Sequence, residues 1–232
     1  MPSEREPQKR VALRKILPYF LGRWKIPAPH GQTGAGQPQE QRQERMEYSL
    51  SGGKLNLGCG TDIREGWVNL DVAPLPGVDV VHDLNDLPLP FADETFEEIL
   101  CQDVLEHLEY IPVLRELHRI LKPGGRLHIR VPHFTSRLSY VDPTHKKLFS
   151  FQTFEFFVHQ GKGANIAKGR YYFDFHFDRI ARCRITFEKG ILLYNYLIEP
   201  LVNLRHVTKV LYEATALSRL FPAENVVVEL IK

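Results

Sequence analysis

The chain has 232 residues, a length that fits one domain plus an extension. Hydrophobic residues at 43% and charged residues at 25% are ordinary for a globular protein, and a formal net charge of +2 is too small to argue for a nucleic-acid partner. Cys59, Cys101 and Cys183 are scattered and form no CxxC pair, so neither a zinc site nor a disulfide framework is indicated and a reducing cytoplasm is expected. No apolar run approaches the roughly 18 residues of a membrane span, and basic residues interrupt the apolar ones near the start, unlike a signal peptide.

Residues 1–26 form a basic N-terminal segment. Within 9–25, "KRVALRKILPYFLGRWK", Leu13, Leu17, Phe20 and Trp24 recur at helical spacing, with Pro18 as a kink. Two readings are open: a helix docked on its own domain, or a weak contact with a membrane surface or partner, which would place a cytoplasmic protein at the membrane periphery. Residues 27–52 are rich in Gln, Gly and Pro over much of their length and read as a flexible linker. Residues 53–232 read as the folded domain.

Within that domain, 54–57, 67–72, 78–84 and 96–102 read as four strands. A helix follows over 106–121, with Val113, Leu114, Leu117, Ile120 and Leu121 on one face and Pro112 in its first turn. "KPGG" at 122–125 ends it, and 126–132 is a fifth strand. Beyond Pro132 the pattern loosens into a loop and a short helix capped by Ser150. A strand at 182–188 follows, then helical period over 191–220 broken at Pro200, and a last strand at 225–231 that could pair antiparallel with 182–188. The fold class expected is α/β: a Rossmann-like open sheet, mostly parallel, with an antiparallel last strand and shortened first and second crossovers.

In such a sheet ligands bind at the carboxyl ends of the strands. These ends carry Gly58-Cys59-Gly60, then Asp71, then Asp83-Leu84, then Gln102, then His133. Glycines let a ligand approach the backbone. The Asp71 carboxylate suits a ribose diol, Asp83 an exocyclic adenine amine, and the Leu84 N–H a ring nitrogen. A dinucleotide would want a third glycine, but position 63 is Ile. Only about eight residues join the first two strands, too few for a helix aimed at a pyrophosphate. S-adenosylmethionine (SAM) has no pyrophosphate and needs the three features present.

"LNLGCG" (55–60), "VNLD" (68–71), "VVHDLNDLPLPFADETFEEI" (80–99), "DVLEHL" (103–108) and "ELHRILKPGGRLHI" (116–129), in this order, resemble the class I SAM-dependent methyltransferases, of the compact kind. The resemblance covers about residues 53–133. It implies a seven-stranded sheet whose last two strands pair antiparallel, cofactor contacts from Gly58, Cys59, Gly60, Asp71, Asp83 and Leu84, and Gln102 beside the methionine end. Asn56 departs from the pattern, standing where the first motif often has an acid.

Methyl transfer to a hydroxyl benefits from a base near neutral pH, and histidine suits that role. The candidates are His107 in "DVLEHL", His133 after the fifth strand, and His145 in "DPTHK", with Asp142 as an orienting carboxylate. None has metal-ligand spacing with a second His or Cys, so no metal is invoked. Elements of 133–222 would form the acceptor pocket and lid. The run Phe149, Phe151, Phe154, Phe156, Phe157 reads as core or lid packing or as a pocket wall, and "KGRYYFDFHFDR" (168–179) carries acids that argue against nucleic acid. The expected activity is methyl transfer from SAM to a small-molecule or polymer-linked acceptor, at oxygen. Competing readings are a non-catalytic SAM-fold binding or scaffold protein, and another SAM- or nucleotide-using α/β enzyme.

Overall fold

The structure is a computed structural model that describes residues 53–161 and 163–232. The expected segments 1–26 and 27–52 lie outside the described residues.

The elements run β1 (Lys54–Leu57), β2 (Val68–Asp71), β3 (Val80–Val81), β4 (Phe96–Gln102), a 3₁₀ turn (Leu105–His107), α1 (Tyr110–Ile120), β5 (Leu121–Pro132), α2 (Leu138–Val141), a second 3₁₀ turn (Thr153–Phe157), β6 (Val158–Gln160), α3 (Ile166–Tyr172), β7 (Phe177–Thr186), α4 (Asn195–Val202), α5 (His206–Ala214), α6 (Leu217–Leu220) and β8 (Asn225–Ile231). They build one eight-stranded sheet in the order β3-β2-β1-β4-β5-β8-β7-β6. β8 alone runs against its neighbours, pairing antiparallel with β5 and β7. This is the Rossmann-like α/β arrangement expected, with one strand more than the seven that the resemblance implies: β6 adds a parallel edge to β7.

The core follows from the apolar pattern. Leu55, Leu57, Leu70, Ile99 and Cys101 are buried in the parallel half, and α1 turns Val113, Leu114, Leu117 and Ile120 inward. Phe149, Phe151, Phe154 and Phe157 are buried too and pack in the core, with Phe151 also lining a cavity.

Several boundaries differ from the sequence reading. The third strand is two residues long: before it the Asp79 carboxylate accepts from the Asn69 backbone N–H at 2.7 Å, and after it Asp83 closes a turn with Asn85. The expected helix at 106–121 divides at Leu108, whose backbone is extended. "KPGG" falls inside β5, as a bulge: pairing with β4 jumps from Phe96↔Leu121 to Glu98↔Arg126, and Gly124 takes φ +76°. Pro200 lies within α4 instead of breaking it. The break follows at Asn203, whose side chain bonds Ile185 N, Ile185 O and Glu199 O. The strand read at 182–188 begins at Phe177 and ends at Thr186. The reading lacked α2, β6 and α3.

No helix is present between β1 and β2 or between β2 and β3. Side-chain amides take its place. Asn56 Nδ2 donates to Asp62 O at 2.7 Å and to Asn69 Oδ1 at 3.1 Å, while Asn69 Oδ1 accepts from Arg64 N and Asn69 Nδ2 donates to Arg64 O and Trp67 O. Both asparagines are buried. The departure at Asn56 therefore has a structural cause: an amide there holds the short connection, donating where a carboxylate would not.

The His118 ring packs edge-on to Phe177 at 5.1 Å, and burial pushes its pKa down to about 4. A depressed folded-state pKa means the stabilisation is intact above about pH 6.5, the unfolded value. It is lost as pH falls toward 4, where only the unfolded chain has bound the proton. Urea unfolding at pH 7 and pH 5 should show a loss on the order of 2 kcal/mol, smaller in His118→Gln. Equal losses in the two proteins would remove the assignment.

Candidate functional site

At the carboxyl ends of the parallel strands, Gly58 and Gly60 both have positive φ, +64° and +50°. A Cβ on Gly58 would lie 2.4 Å from Val104 Cγ2, whereas one on Gly60 would meet nothing within 4 Å. The first glycine is thus required by packing against the segment after β4. The second leaves open space beside the backbone. Asp71 ends β2 within this turn: its Oδ2 accepts from Gly60 N at 2.7 Å and its Oδ1 from Ala73 N at 2.9 Å. These bonds fix the carboxylate beside the opening at Gly60 and leave further lone pairs on both oxygens. Cys59 is buried behind the turn. Asp83 is exposed; its Oδ1 accepts from Asn85 N and Nδ2, and these bonds hold its carboxyl below the ordinary range. Leu84 is buried and Gln102 half-buried at the end of β4. A cradle with clearance at Gly60 and a fixed carboxylate beside it fits SAM. A cavity of about 340 Å³, lined in part by Phe151, Ile166, Cys183 and Lys209, belongs to a different region of the sheet.

The three histidines have separate fates. His133 is fully buried and both ring nitrogens are engaged. Nδ1 accepts from Thr135 N at 3.1 Å, so Nε2 carries the proton and donates to Glu213 Oε1 at 3.0 Å. It ties the end of β5 to α5 and has no nitrogen left for an acceptor.

His107 and His145 come together although 38 positions apart in sequence, their ring centroids 4.6 Å apart. The 142–147 segment is clamped onto the turn after β4, where Lys146 N donates to Glu106 O at 2.7 Å. His107 Nδ1 lies 2.7 Å from Thr144 Oγ1, and that hydroxyl donates to Asp142 Oδ1 at 2.6 Å. The threonine proton is therefore committed to Asp142, and His107 Nδ1–H donates to threonine. Nε2 of His107 then carries the lone pair. Asp142 acts as the expected orienting carboxylate, but on His107 and through Thr144. Burial pushes His107 below its ordinary pKa, and neighbouring His145 adds to the effect.

Close to these rings is Glu106, which the sequence reading did not single out. Its side chain is 1% exposed, its oxygens have no hydrogen-bond partner among the described residues, and His145 Nε2 is 4.0 Å from Oε1. Burial pushes its carboxyl up to about 8. The available signal was an acid set among apolar residues in "DVLEHL", where a surface position would be expected to be freer of them.

Residues 56–129 match a family described as Methyltransferase domain. An uncharacterized protein of Methanocaldococcus jannaschii is 51% identical over 47 residues, 20% of this chain and 21% of that protein. A demethylmenaquinone methyltransferase of Lysinibacillus sphaericus is 40% identical over 55 residues, 23% of each. The chain spans about a fifth of the length of these curated relatives. A solved SAM-dependent methyltransferase from Archaeoglobus fulgidus aligns with TM-score 0.46 and 17% identity, over 77% of this chain and 85% of that one. The glycine turn, Asp71, β2 and β4 all lie within the stretch 56–129 that is similar to the methyltransferase-domain family.

Proposed function

We propose that the protein transfers the methyl group of SAM to an oxygen of a small or polymer-linked acceptor. Bound SAM supplies an electrophilic methyl on a sulfonium; the chain positions cofactor and acceptor and keeps water away. Gly60 clears the backbone while Gly58 packs the turn against Val104, Asp71 accepts from the ribose hydroxyls, Asp83 and Leu84 face the adenine, and Gln102 borders the methionine end. The observation that carries the oxygen reading is the Glu106–His107–His145 cluster just past Gln102. A hydroxyl acceptor must shed its proton as the new bond forms, and this cluster brings two imidazoles, with a buried carboxyl group beside them, to the side of the site beyond the methionine end. The elements of 133–222 supply the acceptor's surroundings.

Calorimetry with SAM and with NAD on the full chain tests the cofactor. Asp71→Ala should weaken SAM binding by about 1.5–3 kcal/mol, the worth of charge-assisted hydrogen bonds. Unchanged affinity would remove Asp71 from the ribose. Binding of NAD but not SAM would favour a dehydrogenase, and SAM binding without turnover on a panel of hydroxyl acceptors would favour a scaffold role.

A further inference from the structure

We infer that Glu106, His107 and His145 form a binding site for a divalent transition-metal ion, with open coordination positions toward the acceptor. One ligand atom from each of the three lies within 4.8 Å of the others, a separation that a small inward movement around one ion closes to bonding distance. Two independent features point to a ligand there. Glu106, 1% exposed, has neither oxygen hydrogen-bonded among the described residues and no lysine or arginine in ion-pair contact. His145, whose side chain is 8% exposed, turns its Nε2 toward Glu106 Oε1 at 4.0 Å, beyond hydrogen-bond reach. Leaving the Glu106 oxygens unmet in a buried place is costly, and a cation held between them and the imidazoles answers the need.

The third ligand is prepared in the manner of metal-bound imidazoles. His107 gives its Nδ1–H to Thr144, which in turn bonds Asp142, so the ring is held with its Nε2 lone pair free. Two imidazoles and one carboxylate suit Zn²⁺, Mn²⁺ or Fe²⁺ better than Ca²⁺ or Mg²⁺, which favour all-oxygen shells. Three protein ligands leave positions vacant, and His107 is only half-buried, so a hydroxyl can enter from solvent. The inference rests on the methyl-transfer reading for its purpose and deepens it. With the ion in place the imidazoles are ligands rather than bases. The cation lowers the pKa of the acceptor hydroxyl. Its proton passes to water, the oxygen lone pair forms the O–CH₃ bond, and the S–CH₃ bond breaks with its electron pair returning to sulfur. Sequence spacing gave no sign of this site because the fold, not the local chain, brings His145 to the pair at 106–107.

The test uses the full chain, purified without a polyhistidine tag, stripped with chelator, and titrated with Co²⁺ by visible absorption and with Zn²⁺ by calorimetry. One equivalent should bind and be lost on renewed chelation. Glu106→Gln and His145→Ala should weaken binding more than about tenfold, and Thr144→Val, at an exposed position, about tenfold through loss of the bond orienting His107. Thermal melts by circular dichroism show whether each variant is folded. The absence of a stoichiometric site, or variants that bind as the parent does, would overturn the proposal; the chain has ten histidines, so surface binding alone would survive these changes. SAM calorimetry on the same samples separates the two readings. SAM binding without ion binding defeats the metal site alone, whereas ion binding without SAM binding upholds the site and defeats methyl transfer.

Discussion

Glu213→Ala is expected to destabilise the folded chain by about 3–5 kcal/mol, as breaking a buried charge-assisted network does. The Glu213 side chain is 9% exposed and serves three donors. Oε1 accepts from His133 Nε2 and from Phe151 N, each at 3.0 Å, and Oε2 accepts from the Ser150 hydroxyl. Truncation orphans all three, and His133 has no route to water. Glu213→Gln keeps a carbonyl acceptor and should cost less, on the order of 1–2 kcal/mol. Urea midpoints for the two variants measure this directly. None of the three donors belongs to the cofactor cradle, so SAM affinity well below the midpoint should be unchanged. A shift in the Ala variant smaller than in the Gln variant would show that the network is not what holds α5 to the sheet.

The second large effect is at Gly58. Gly58→Ala forces a Cβ into a left-handed backbone at φ +64° and 2.4 Å from Val104 Cγ2. Strain and overpacking together should cost about 2–4 kcal/mol. Val104 is buried and cannot swing away. Shrinking it should help: in Gly58→Ala/Val104→Ala the clash is relieved, so the double variant should be more stable than the sum of the two single effects. Gly60→Ala makes the contrast. Its backbone strain is similar, roughly 1–2 kcal/mol, but its Cβ meets no protein atom. Its main consequence should be on SAM affinity, where Gly58→Ala acts chiefly on stability. If Gly60→Ala bound SAM like the parent, the clearance there would have no part in cofactor binding.

β1, β2 and β4 were legible because each is a short strand ending at or beside a residue suited to a ligand, Gly58, Asp71 or Gln102, whereas β3 shrinks to two residues and β5 begins five residues before the expected limit. β8 was read with its observed limits, since alternate burial of Val226, Val228 and Leu230 follows the period of two. The region after Pro132 was less legible. β6 has three residues and α3 seven, too short for periodicity to stand out, and "KGRYYFDFHFDR" divides between α3, a loop and β7. In the site, strand-end logic singled out candidate cofactor residues but treated the histidines alike. What separates them is long-range: His133 meets Glu213 80 residues away, and His107 meets Thr144 37 residues away. Glu106 stands among apolar residues in "DVLEHL", but only the packed fold shows its carboxyl group buried without a hydrogen-bond partner among the described residues.

β8 also has a consequence for the order in which the molecule can be assembled. It lies between β5 and β7 and is paired along its whole length to both, Arg126↔Ile231 on one side and Thr186↔Asn225 on the other. A ribosome delivers this strand after both of its neighbours. Until residues 225–231 emerge, the β1–β5 half and the β6–β7 half are two nascent sheets, each with a bare edge where the linking strand belongs. Joining them is a late, long-range event, closing loops of about a hundred residues between β5 and β8, and such closures slow folding. During that interval the exposed edge of β5, flanked by Leu127, Ile129 and Val131, is the part of the newborn chain most in need of shielding from other strands.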